Sequence, residues 1–121
     1  MRDYKTLTVW RKSHEQYLFI KKNILNMLPV EEKYDLRAQL SRASLSIPLN
    51  IVEGAGRFSE KEFAHFLNVS LGSTNEVDYC CFAAYELNYI SKELYISTNK
   101  ILNEIRAMLI VFIKFLRNKI S

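Results

Sequence analysis

At 121 residues the chain has room for one hydrophobic core, and its three glycines and two prolines exclude the turn-rich all-β classes. Abundant Leu, Ile, Lys, Glu and Asn point to an all-α protein. The net charge of +4 is unevenly spread, and the longest apolar run, Ala107 to Ile113 between Arg106 and Lys114, falls well short of the about 20 residues of a membrane span.

The N-terminus, Met1 to Thr6, has no apolar stretch of the kind that marks a secretory signal, so a cytoplasmic location and no membrane contact are expected. In that compartment Cys80 and Cys81 read as two small core residues and not as a disulfide.

The first helix is expected over about residues 8–27, because Leu7, Trp10, Tyr17, Leu18, Ile24, Leu25 and Leu28 recur at the spacing of one helical face. Pro29 ends it. Residues 1–28 carry Arg2, Lys5, Arg11, Lys12, Lys21 and Lys22 against Asp3 and Glu15, a balance of +4.

A second helix is expected over about 31–55, with Glu31, Glu32 and Asp35 placing negative charge near its positive dipole end and Gly54 and Gly56 supplying the stop. Within it Gln39, Arg42, Ser46, Asn50, Glu53 and Arg57 form one polar stripe at steps of three and four. Leu36, Leu40, Ile47 and Ile51 border it on one side; Ala38, Leu45, Leu49 and Val52 border it on the other. A polar row between two aliphatic rows reads as a partly buried structural network or an oligomer interface, with Glu53 satisfying Arg42 and Arg57. Pro48 lacks a backbone donor and is expected to kink the helix near Ser44.

The third helix is expected over about 59–87. It opens on the capping box Ser59-Glu-Lys-Glu62, and its inner stripe runs Phe63, Phe66, Leu67, Ser70, Ser73, Val77, Cys80, Ala84 and Leu87. Residues 58–90 hold one lysine against five acids, a balance of −4. Asn88 can take the left-handed conformation that closes a helix, and Ser91 can cap the next. The fourth helix, about 92–119, carries Lys92, Lys100, Arg106, Lys114 and Arg117 within an arc of about 120°. Short loops between long helices make neighbours antiparallel, so the single domain is expected to be an up-down-up-down four-helix bundle. The apolar excess from Tyr79 to Ile90 and around the fourth helix predicts a homo-oligomer.

Three patterns bear on chemistry. Glu62-Phe-Ala-His65 has the spacing of a di-iron ligand pair, but such sites need two pairs and two further glutamates, and His14 has no carboxylate three residues before it. No metal is expected. Gly54-Ala-Gly56-Arg57 follows no strand, has Ser59 in place of a third glycine, and faces Glu60 and Glu62, so it reads as a turn and not as a phosphate cradle. No nucleophile, base and orienting group share a defensible spacing, and neither enzymatic activity nor a cofactor is expected. The basic terminal segments predict contact with RNA or DNA through Arg11, Lys12, Lys22, Lys92, Lys100, Arg106, Lys114 and Arg117. The competing expectation is a protein-binding scaffold whose charges serve solubility and steering.

The stretch Leu36-x-x-Gln39-x-x-Arg42-Ala43-x-x-Ser46-Ile47-Pro48-x-Asn50-Ile51-x-Glu53-Gly54-x-Gly56-Arg57, followed by Phe66-Leu67 and Gly72-Ser73-x-x-Glu76, resembles a known family. With Val9-Trp10-x-Lys12 and Leu28-Pro29 it is similar to the four-helix bundle family that includes the 23S rRNA intervening-sequence protein and the accessory variability determinant of diversity-generating retroelements. Asn88 stands where relatives often have glycine. The resemblance implies a ring-like homo-oligomer, typically a pentamer, without catalysis. For the retroelement members it implies binding of RNA or DNA and of a reverse transcriptase.

Overall fold

The computed structural model describes residues 1–120. Four helices carry the fold: α1 (Thr8–Asn23), α2 (Leu36–Ala55), α3 (Glu60–Glu86) and α4 (Lys92–Ile120). Single 3₁₀ turns at Tyr4–Thr6, Leu25–Met27 and Val30–Glu32 flank α1 and lead into α2. No strand occurs among the described residues.

The helix directions follow from which residues meet. Gln39 reaches Glu76 while Ser46 reaches Ser73, so α2 and α3 run antiparallel. Phe63 packs on Phe112 while Asp78 meets Arg106, which makes α3 and α4 antiparallel. Lys12 meets Glu104 while Gln16 meets Thr98, which does the same for α1 and α4. Each helix packs on its chain neighbour and α1 also packs on α4, closing an all-α four-helix bundle.

The core is aliphatic. Ile20, Ile24, Leu40, Ile47, Ile51, Leu67, Leu102, Ile105, Leu109 and Leu116 are fully buried. Each such side chain contributes on the order of 1.5–3 kcal/mol relative to an exposed one. From Ser70 onward the buried positions of α3 are mostly small, Ser70, Ser73, Thr74, Cys80, Cys81 and Ala84, which lets α2 and α4 approach closely. Their hydroxyls are satisfied: Ser70 Oγ donates to the Ile47 carbonyl at 2.9 Å and Thr74 Oγ1 to the Ser70 carbonyl at 2.8 Å.

Several expected boundaries move. The first helix stops at Asn23, not near 27, because Pro29 forces Leu28 into extended backbone (ψ 132°) and the chain steps down through a 3₁₀ turn. The second starts at Leu36, not 31. Asp35 sits at φ −127°, ψ −109°, outside the helical basin, so Glu31 and Glu32 belong to a separate turn. That turn is tied down by Tyr89, whose hydroxyl donates to Glu32 at 2.8 Å. Gly54 lies within α2, and Gly56 at its end has φ −79°, so neither uses a left-handed stop. Leu87, expected on the inner stripe of α3, is the C-cap residue and is exposed.

The remaining caps use side chains and one left-handed residue. Ser59 Oγ accepts from the Glu62 amide and Ser91 Oγ from the Leu94 amide. Asn88, at φ 64°, closes α3 with the amides of Tyr89 and Asn88 donating to the carbonyls of Ala84 and Tyr85, both at 2.9 Å.

Unequal helix lengths shape the surface. α1 has 16 residues and α4 has 29, spans of about 24 and 44 Å. Lys12, just past the first turn of α1, lies beside Glu104, so the C-terminal part of α4 runs past the start of α1.

Candidate functional site

Of the eight basic residues expected to contact nucleic acid, Arg11, Lys22, Lys92, Lys100, Lys114 and Arg117 are exposed and have no ion pair among the described residues. The other two are tied into the bundle. Lys12 Nζ lies 3.0 Å from Glu104, linking α1 to α4. Arg106 is half-buried, with Asp78 at 2.9 Å, Asn75 at 3.0 Å and Asn103 beside it. Asp78 of α3 faces α4, and a half-buried guanidinium there is more stable paired than facing solvent.

The polar stripe of α2 runs along the outer edge of the α2–α3 seam. Gln39 donates to Glu76 at 2.8 Å, Ser46 and Ser73 share a hydrogen bond of 2.7 Å, and Asn50 donates to Ser46 at 2.9 Å. Arg57 pairs with Glu53 and covers the Phe66 ring at 4.9 Å. Arg42 turns to Gln39 at 2.9 Å, not to Glu53. Gln39, Ser46 and Asn50 are half-buried while Arg42, Glu53 and Arg57 are exposed in the single chain, so the row is a partly buried network that opens at a surface seam. Leu45, Leu49 and Val69 beside it are exposed as well.

A second apolar surface lies where α4 outruns α1. Ala107, Met108, Val111, Phe112 and Phe115 line an open hollow of about 480 Å³. A different hollow, of about 590 Å³, opens between the end of α1 and the start of α2, and Lys21, Lys33 and Arg37 line it. Their spacing gives no helical signal, because the three come from a helix, a turn and another helix.

Glu62 and His65 both lie exposed on α3, and among the described residues no group of three or more His, Cys, Asp or Glu side chains could hold a metal ion. Cys80 and Cys81 are free and buried. Burial first, then the neighbouring Cys80 and Asp78, push the Cys81 thiol up to about 12. A thiol held this far from ionisation is a poor nucleophile or metal ligand at neutral pH. No described helix is long and apolar enough to cross a membrane.

The model of the 23S rRNA-intervening sequence protein family matches residues 5–111. The chain belongs to this family. It is also similar to a solved structure from Bacteroides thetaiotaomicron VPI-5482, described as a protein with unknown function from the S23 ribosomal protein family. The two share 33% identity and a TM-score of 0.81, over 88% of this chain and 99% of that one. The comparison with curated proteins found no match. The whole polar stripe of α2 lies inside the residues that match the 23S rRNA-intervening sequence protein family, whereas Lys114 and Arg117 lie beyond them.

Proposed function

We propose that the chain is a non-catalytic subunit of a homo-oligomeric ring, a pentamer as the family resemblance implies, that contacts RNA or DNA through basic surfaces of α1 and α4. The observation that carries the contact is the pairing pattern. Arg11 and Lys22 on α1, and Lys92, Lys100, Lys114 and Arg117 on α4, are exposed without acidic partners among the described residues, and these two helices pack side by side. Exposed cations with no internal partner are the groups that can neutralise phosphates and release counterions.

Fluorescence anisotropy with a structured RNA and a duplex DNA tests this. With about four phosphates neutralised, affinity falls roughly a hundredfold between 50 and 200 mM salt. A Lys100→Gln/Lys114→Gln variant lowers the salt slope by about two. Binding indifferent to salt, or absent at micromolar protein, sinks the proposal.

A protein-binding role is the second reading, and the bare α4 hollow favours it: Val111 and Phe115 are 68% and 52% exposed on an almost wholly apolar surface. In that reading the α4 hollow takes a partner such as a reverse transcriptase in place of a neighbouring subunit. A pull-down that survives nuclease treatment favours this role over direct nucleic-acid binding.

A further inference from the structure

The hollow between α1 and α2 is lined by three cations from three different elements. Lys21 comes from the last turn of α1, Lys33 from the turn after Val30–Glu32, and Arg37 from the first turn of α2. None of the three is ion-paired among the described residues; Lys21 and Lys33 only face the Tyr17 and Tyr34 rings, at 5.8 and 5.3 Å. Asn26 and Ser41 line the same space, and among the described residues no carboxylate does. Of the acids nearby, Glu32 is engaged by the Tyr89 hydroxyl at 2.8 Å, and the exposed Glu31 and Asp35 stand outside the lining. The rest of the lining includes Leu25 and Val30, which give the hollow an apolar side.

Three like charges lining one hollow repel, and only an anion or water can relieve them. The space, about 590 Å³, is within the range of small-ligand sites. We propose that this hollow binds the phosphate of a nucleotide. Arg37 offers the fork that matches phosphate oxygens, Lys21 and Lys33 supply point charges, and Asn26 and Ser41 supply neutral donors. The apolar side around Leu25 and Val30 takes the face of the sugar or base. A free nucleotide and the phosphorylated end of an RNA strand present the same chemistry. The site shares no residue with the α1–α4 surface and does not depend on it.

AMP is the first probe, with adenosine as the control lacking phosphate. By titration calorimetry AMP binds, adenosine does not, and Lys33→Gln/Arg37→Gln weakens AMP about tenfold or more. The melting temperature of the variant does not fall, since removing two of the three like charges relieves their repulsion. Bound AMP protects Lys21 and Lys33, but not Lys114, from acetylation read by mass spectrometry. If the double variant fails to fold, Lys33→Glu repeats the test at an exposed side chain. A second arm compares a 5′-phosphorylated RNA octamer with its 5′-hydroxyl twin. Preference for the phosphorylated strand that disappears in the variant assigns the site to a strand end; an effect on AMP alone assigns it to a free nucleotide.

If AMP and both octamers bind the variant as they bind the wild type, or if AMP and the phosphorylated strand show no binding, the inference is overturned. Loss of RNA binding in Lys100→Gln/Lys114→Gln with AMP binding intact concerns only the α1–α4 surface.

Discussion

A methyl group added at position 54 would lie 2.8 Å from Phe63 Cδ1 and 2.9 Å from Phe66 Cβ. Alanine gains up to about 1 kcal/mol in helix propensity over glycine, but overpacking against a neighbouring helix costs about 1–3 kcal/mol. Phe63 is a buried residue packed on Phe112, so it has little room to yield. Gly54→Ala is therefore destabilising by about 1–2 kcal/mol net in urea denaturation; a gain in stability would show that α3 can move away. Cys81 gives a second test. Its thiol is raised from 9.0 to about 12, so the folded chain keeps the proton where the unfolded chain releases it. Stability from this group is complete below pH 9 and is lost as pH climbs from 9 towards 12. Melting temperatures fall over that window, and Cys81→Ala shows a shallower fall. Tyr95, raised by burial, and Tyr89, raised by its bond to Glu32, add the same sign and remain in the variant.

At the scale of elements, the helix ends are where local chemistry and long-range packing separate. The cap residues Ser59, Asn88 and Ser91 are legible in sequence because each acts on amides or backbone angles within a few residues of itself. Asn88→Ala places a β-branch-free but less tolerant residue at φ 64°, costing about 1 kcal/mol, whereas Asn88→Gly is neutral or slightly stabilising. Thermal melts of the two variants check this, and equal melting temperatures would remove the left-handed cap from the account. The start of α2 was not legible. Acids at Glu31, Glu32 and Asp35 suit a helix start, yet Glu32 is bound by Tyr89, a residue 57 positions away. The same limit applied to the basic surface. That Lys12 and Arg106 are bridges to Glu104 and Asp78 depends on which helices lie side by side, and spacing within one helix carries no such information.

For the whole molecule, the exposed apolar surfaces set the expectation of self-association. Leu45, Leu49 and Val69 lie on one side of the protomer, at the α2–α3 seam, and Val111 and Phe115 lie on α4. In the proposed ring these two unlike patches would pair head to tail, a geometry that closes when the rotation per subunit divides a full turn. Light scattering is expected to give a multiple of the 14.2 kDa protomer mass at micromolar concentration. Val111→Lys/Phe115→Lys reduces that multiple while leaving the helical circular dichroism intact, because both side chains are exposed in the protomer. A wild-type chain that scatters as a monomer would falsify self-association outright. By itself the sequence determined the helix count, the α3 and α4 starts, the polar stripe and the family, since these rest on periodicity, caps and a motif carried along one strand of residues. Only the tertiary structure decided which cations are free, that the stripe lies at a surface seam, and that Lys21, Lys33 and Arg37 share one hollow. Those facts are set by side chains meeting across helices, over distances that no local pattern encodes.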